Sequence, residues 1–239
     1  MENRWIQYWE NQTLFSDALI KKNTDVFLKH IGDIFSWDSH DVVLDIGSGS
    51  GYLASQIHSL VKQVYCVDTS SRAIRRGRQL CGSQSSVAFR LLSPTAYTNL
   101  SFLPKAAFSK VLCVSVIQYF DTFHSLQLLL RSVLPLLKRD GVFLIADIIP
   151  PHSFLKDTWA FLDSSIRHGV FMNSLRFLIK SRFSIYYSVR KKQGLLTIEQ
   201  SRFQQLCNEE GMGCHFYSLP LSLNTNRYQA LINRNFPPR

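Results

Sequence analysis

Asp41-Val-Val-Leu-Asp-Ile-Gly-Ser-Gly-Ser-Gly-Tyr-Leu-Ala54 carries the pattern that decides the fold. Val42 to Ile46 is a short apolar, β-branched run interrupted by one acid, Asp45. That composition suits a parallel strand buried on both faces. Gly47, Gly49 and Gly51 follow, and Tyr52 to Leu60 then carries helical spacing. A strand, a glycine turn and a helix start in that order predict a nucleotide-binding βα turn. Its glycines permit the tight turn and let a ligand lie against bare backbone. A buried strand does not end in a carboxylate for stability alone. Asp45 is therefore expected to bind a cationic or hydrogen-bond-donating group.

Outward from this unit, strands and helices alternate. Lys62 to Asp68 reads as a second buried strand ending in an acid. Asp68 lies about twenty residues beyond the glycine turn, where a doubly wound sheet places a carboxylate on the paired hydroxyls of a ribose. Thr69 and Ser70 start a helix over Arg72 to Leu80, ended by Gly82. Val87 to Leu92 is strand three, and Ser93 to Asn99 a turn-rich loop. Val111 to Ile117 is strand four, opening into Gln118-Tyr-Phe-Asp121. Leu126 to Leu137 predicts a long apolar helix, kinked or restarted at Pro135, with Lys138-Arg-Asp-Gly141 as its basic last turn and glycine stop. Val142 to Asp147 is strand five. The alternation predicts a mostly parallel sheet with helices on both faces.

The flanks differ from this core. Residues 1–40 read as helical, with Trp5, Tyr8, Trp9, Leu14, Phe15, Ala18 and Leu19 on one face. A second helix, capped at Thr24 or Asp25, carries Val26, Phe27, Leu28 and Ile31 to Gly32. Such a preface either covers a ligand cleft or merely packs on the sheet. After Ile149-Pro-Pro-His152, Phe154 to Tyr187 is helical, rich in Phe, Leu and Arg. Ile198 to Glu210 is another helix, and Cys214 to Leu219 with Arg227 to Ile232 predicts an antiparallel hairpin. The expected organisation is one domain over 1–239: a helical cover (1–40), a cofactor-binding core (41–148), a helical substrate insert (149–198), and a closing helix and hairpin (199–239).

A chain of 239 residues with 46% hydrophobic content suits one α/β domain with an elaboration. Mean hydropathy of −0.03 excludes a disordered chain and an integral membrane protein, and no apolar run approaches the ~20 residues needed to span a bilayer. The first ten residues lack the apolar centre of a signal peptide, so the cytoplasm is the expected compartment. Five cysteines, odd in number and without a CxxC pair, predict neither a disulfide framework nor a zinc site, and no metal is expected. Cys66 and Cys113 sit inside apolar strands and read as small core residues. The net charge of +10 draws on two acid-free stretches, Thr69 to Phe120 and Ser164 to Ile198. The first holds Arg72, Arg75, Arg76 and Arg78; the second holds Arg167, Arg176, Lys180, Arg182, Arg190, Lys191 and Lys192. Such a field attracts an acidic membrane face, nucleic acid or an anionic substrate, or simply solvates helix faces.

Four pieces in order now resemble the class I S-adenosylmethionine-dependent methyltransferases, small-molecule branch. They are Val43 to Gly51, Val64 to Asp68, Val114 to Phe120 and Leu134 to Asp147, together spanning roughly residues 38–148. The resemblance implies a Rossmann-like fold and S-adenosyl-L-methionine as cofactor. It implies that Asp45 holds the amino group of the methionine part, and that Gly47, Ser48, Gly49 and Gly51 give the backbone room beside it. Asp68 would bind the ribose hydroxyls, Thr69 would border the adenine edge, and Ser115 the methionine moiety. Where the family often has an acid after strand three, this chain has Ser93-Pro-Thr-Ala96, so the Ser93 hydroxyl or a backbone carbonyl would meet the adenine amino group.

The resemblance further implies methyl transfer to an O or N nucleophile of a small metabolite, such as a secondary metabolite or a glycan-linked intermediate. A base is needed only if the acceptor keeps its proton at working pH. Asp147, His152 and His124 are the candidates near strand ends. Three rivals compete. Ser174, Tyr187 and Lys191 have the spacing of a nicotinamide-dependent dehydrogenase triad, yet follow strand five and accompany GxGxG instead of TGxxxGxG. An RNA-directed enzyme suits the charge, yet Ser115-Val-Ile-Gln118 lacks the proline-rich base grip of such enzymes, so nucleic acid is not expected. A non-catalytic, methyltransferase-like binding or scaffold protein is the third, and the intact glycine turn and Asp68 argue against decay of the cofactor site. The 149–198 insert is expected to choose the acceptor. Its aromatics among arginines suit a partly apolar, anionic molecule, peripheral contact with an acidic membrane, or simply the core of a small helical subdomain.

Overall fold

The computed structural model describes residues 3–11, 17–151 and 154–234. A seven-stranded sheet forms the centre, in the order β3-β2-β1-β4-β5-β7-β6. The parallel strands are β1 (Val42–Ile46), β2 (Gln63–Asp68), β3 (Val87–Leu91), β4 (Phe108–Val114) and β5 (Leu137–Ile148). The closing hairpin, β6 (Gly213–Tyr217) and β7 (Tyr228–Asn233), is antiparallel, and β7 lies against β5. The order reverses between β1 and β4, which opens a crevice at the carboxyl ends of these two strands.

The period-2 alternation of β1 explains its burial on both sides. Leu44 and Ile46 pack under α5 (Phe123–Val133) and α9 (Gln200–Glu209) with Leu126, Leu130, Phe203 and Leu206. Val43 faces the opposite layer of α2 (Asp17–His30), α3 (Tyr52–Ile57) and α4 (Ser71–Cys81) with Phe27, Leu53, Ile57 and Ile74. Cys66 and Cys113 are fully buried strand residues, and the described cysteines are all free. Helix starts follow capping chemistry. The Ser70 hydroxyl accepts from the Ala73 amide at α4, and Thr122 from Ser125 at α5.

Several expected boundaries move. The second N-terminal helix starts at Asp17, so Thr24 and Asp25 are interior residues and not caps; the Thr24 hydroxyl donates to the carbonyl of Ile20. Ala18 is exposed, while Leu14, Phe15 and His152 lie outside the described residues. The helix expected to run to Leu137 and close at Lys138–Gly141 stops at Val133 instead. A 3-10 turn over Leu134–Leu136 leads directly into β5, and Lys138 to Gly141 belongs to that strand. Pairing with β4 explains this: Leu137 is in register with Phe108, and Gly141 packs against the Phe108 carbonyl, where a Cβ would lie 2.7 Å away.

The flanking helices gather over the strand ends. α1 (Arg4–Asn11) packs on α8 (Ile185–Gln193) through Trp5, Tyr8, Tyr186 and Val189. α2 meets α6 (Phe154–Arg167) and α7 (Phe171–Arg182) through Leu19, Val26, Phe161 and Phe177, with Leu223 between them. Backbone bonds from Leu196 to Gln118 and from Ile198 to Ile149 tie the return of the insert to the core.

Candidate functional site

A cavity of about 480 Å³ lies at the carboxyl ends of β1, β2, β4 and β5, roofed by α1, α2 and the insert. Its floor begins at the glycine turn. Gly47 (φ +72°) and Gly49 (φ +54°) occupy left-handed backbone that suits glycine. A Cβ on Gly47 would sit 2.4 Å from Val116 Cγ2, whereas Gly49 faces open space. The amides of Gly47 and Ser48 both donate to the Val67 carbonyl, which lashes the turn to the end of β2.

Two carboxylates meet at this turn with different partners. Asp68 accepts from the Gly49 amide at 2.9 Å through one oxygen and from the Ser70 amide at 2.8 Å through the other. Each oxygen keeps an acceptor site, a spacing that suits two vicinal hydroxyls. Burial pushes the Asp68 carboxyl up, against the opposing pull of these amides. Asp45 is 4% exposed, and no hydrogen bond or ion pair reaches its carboxylate among the described residues. Burial first, and the neighbouring Asp68 second, raise it to about 7. A buried acid without a partner is costly, and an ammonium group from a ligand would relieve that cost. The chain's residues thus fit a ligand carrying both a ribose and a primary amine.

At the ends of the central strands, Ser115 (φ +58°) and Asp147 (φ +67°) adopt left-handed backbone although neither is glycine. Such strain costs about 1–3 kcal/mol per residue and persists only where the surroundings impose it. Here Val114 and Ala146 are paired immediately before, and the two side chains then bond to each other. Ser115 Oγ donates to Asp147 Oδ2 at 2.7 Å and Ser222 Oγ to Oδ1 at 2.7 Å, while Gln229 accepts from the Asp147 amide.

The far half of the cavity is aromatic with two arginines. Trp5, Tyr119, Phe161, Phe177 and Tyr186 form its walls. Arg227 pairs with Asp157 at 2.8 Å, and both side chains are nearly buried. Asn226 donates to the same carboxylate at 2.8 Å. Arg227 Nε and Gln118 Oε1 are buried without a hydrogen-bond partner among the described residues. Arg190 lies beside the Tyr186 hydroxyl. Burial drives the Tyr119 and Tyr186 phenols up, so both stay neutral donors at physiological pH.

Of the residues singled out in the sequence, Asp45, Gly47, Ser48, Gly49, Asp68, Thr69 and Ser115 converge on this cavity. Gly51 stands just behind as the residue preceding α3, with φ +69°. Ser93 is exposed and bonds Thr95 instead, while Leu92, Tyr97 and Phe120 form the wall on that side. Arg72 and Arg76, one helical turn apart on α4, also border the cavity. His124 is exposed against Gln127. The dehydrogenase-like triplet does not assemble: Ser174 is buried against Ser165, whereas Tyr187 is exposed under Arg182. Sequence reasoning missed Ser222, Asp157 and Asn226, which are polar loop or helix residues with no motif around them. No group of three metal-ligating side chains occurs among the described residues.

Comparison with known proteins agrees with this geometry. The fold matches a Leishmania major S-adenosylmethionine-dependent methyltransferase with a TM-score of 0.64 at 10% identity, over 96% of this chain and 80% of that one. It matches geranyl diphosphate C-methyltransferase of Streptomyces coelicolor with a TM-score of 0.61 at 12% identity, over 97% and 96% of the two chains. In sequence, 106 residues are 33% identical to a segment of CymA from Salinispora arenicola, a probable nonribosomal peptide synthetase; the match spans 44% of this chain and 1% of the synthetase. Residues 37–216 match the methyltransferase domain model, and the chain therefore belongs to the methyltransferase domain family.

Proposed function

We propose that this chain transfers the methyl group of S-adenosylmethionine to an O or N nucleophile of a small-molecule acceptor held beneath α1 and the insert. The observation that carries the reading is the pairing of an unpartnered buried Asp45 with the doubly tethered Asp68 in one cavity. That cavity continues into an aromatic half of its own. When bound, S-adenosylmethionine supplies a methyl on a sulfonium, which reacts with a nucleophile held in line.

The chain's residues then have distinct tasks. Asp45 pairs with the amine, Asp68 accepts from the ribose hydroxyls, and open Gly49 leaves room for the ligand backbone. Thr69, Leu92 and Tyr97 border the base, in place of the acid absent after β3. Ser115 sets the rim between the two halves. Trp5, Phe161, Phe177 and Tyr186 exclude water around an apolar acceptor body, and Arg190 and Arg227 suit an anionic group on it. Asp147, at the strand ends, is the carboxylate placed to take a proton where the acceptor retains one. A peptide-synthetase segment among the relatives supports a biosynthetic intermediate as acceptor, ahead of nucleic acid.

Titration calorimetry with S-adenosylmethionine and S-adenosylhomocysteine tests the reading. The wild type is expected to bind both at one site, and Asp68→Ala to weaken both at least about tenfold, the loss of two hydroxyl contacts. A wild type that binds neither ligand would refute it.

A further inference from the structure

The outer face of α7 and the start of α8 combine exposed apolar and basic side chains. On α7, Met172, Arg176, Ile179 and Lys180 are exposed at helical spacing, so they form one stripe. Phe183 follows at 88% exposure and Ile185 at 71%, with Arg182 exposed between Ile179 and Ile185. Lys191 and Lys192 are exposed at the end of α8. The opposite side of α7 is committed inward: Ser174 is buried, and Phe177 and Leu178 line the cavity. The helix thus has a packed inner side and an outer side where large apolar side chains alternate with cations.

We infer that this α7–α8 face docks on an anionic lipid bilayer. Two features select this occupant over a second copy of the chain or an acidic protein. Phe183 and Ile185, two residues apart at the junction of α7 and α8, are exposed at 88% and 71%, which leaves two large apolar side chains among cations for an acyl boundary to bury. No acid occurs from Ser164 to Ile198, so every formal charge on α7 and α8 themselves is positive. Basic residues flanking a shallow apolar edge hold a helix at the headgroup boundary, with partition strengthened about fivefold per cation near an acidic surface. A second copy would bring the same positive field against itself. The docked helix is also the cavity wall, which places the acceptor half beside the membrane. This face lies outside the cofactor site and does not depend on it.

Sedimentation with vesicles of phosphatidylcholine alone and of phosphatidylcholine with phosphatidylserine tests it. The wild type is expected to pellet with the acidic vesicles and to stay in the supernatant with the neutral ones. The pairs Phe183→Glu with Ile185→Glu, and Lys180→Glu with Arg182→Glu, should each lower partition at least about tenfold. Both pairs should retain S-adenosylhomocysteine affinity, which certifies folding and separates failure of this inference from failure of the cofactor site. Equal pelleting on both lipids, a wild type that stays soluble with both, or pelleting unchanged in the variants would each overturn the inference. So would a concentration-dependent dimer, without lipid, that Phe183→Glu abolishes.

Discussion

Asp45 shows what burying a single carboxylate costs the free protein. Its carboxyl is raised from 3.8 to about 7 by burial and by Asp68. As pH rises from 4, the unfolded chain loses this proton before the folded one. The free protein therefore loses stability through about pH 7, and the full penalty persists above that. Asp45→Asn removes the penalty: urea unfolding at pH 8 should show a gain of up to about 4 kcal/mol, shrinking steadily as the pH is lowered to 5. The same variant should lose affinity for S-adenosylhomocysteine, because the amide cannot neutralise an ammonium. A gain independent of pH would mean that the acid is not strained in the free protein. Asp68 differs because two amides already hold it; its place at the cavity was legible from spacing, while the two amides that hold it were not.

At the scale of elements, the sheet has a working end and a structural end. Lys110 on β4 is buried and forms an ion pair with Asp41, just before β1, where Asp41 also accepts from Ser109 and from the Asp38 amide. Asp41→Asn leaves Lys110 buried without a counter-charge, and should destabilise the fold by about 3–5 kcal/mol. Calorimetry on the folded fraction should find cofactor affinity unchanged, since Asp41 stands at the opposite ends of the strands from the glycine turn. A joint loss of stability and affinity would contradict this division. The core strands and their order of succession were legible because buried parallel strands are short apolar runs with punctuated ends. The start of β5 was not: Lys138-Arg-Asp-Gly141 has the composition of a helix stop, and only its pairing against β4 makes it strand. Similarly, Thr24 resembles a cap until the helix is seen to begin at Asp17.

In the whole molecule, the cavity is closed by segments distant in sequence. Trp5 donates to the Gly194 carbonyl at 2.9 Å, and Asn23 accepts from the Leu223 amide at 2.8 Å, so the two ends of the chain and the insert interlock over the site. A ligand filling that space stabilises the assembly as a unit. At about 100 times its dissociation constant, S-adenosylhomocysteine should add about 2.7 kcal/mol and raise the melting temperature by about 5–10 °C. A reduced nicotinamide dinucleotide should leave it unchanged. Trp5 and Trp9 line the cavity, so their emission should change in the same titration, and Trp5→Phe with Trp9→Phe should remove most of that signal.

By itself the sequence determined the βα turns of the proposed donor side, because they are local. Asp45, the glycine turn and Asp68 sit on consecutive βα units, and strand periodicity with glycine punctuation brings them together in any chain so patterned. The tertiary structure alone decided the proposed acceptor side. Trp5, Tyr119, Asp157 and Tyr186 come from four separate elements, and Ser222 and Arg227 from the loop between β6 and β7. Their convergence depends on how α1, the insert and the closing loop pack over the strand ends, and long-range packing leaves no fixed spacing in the chain.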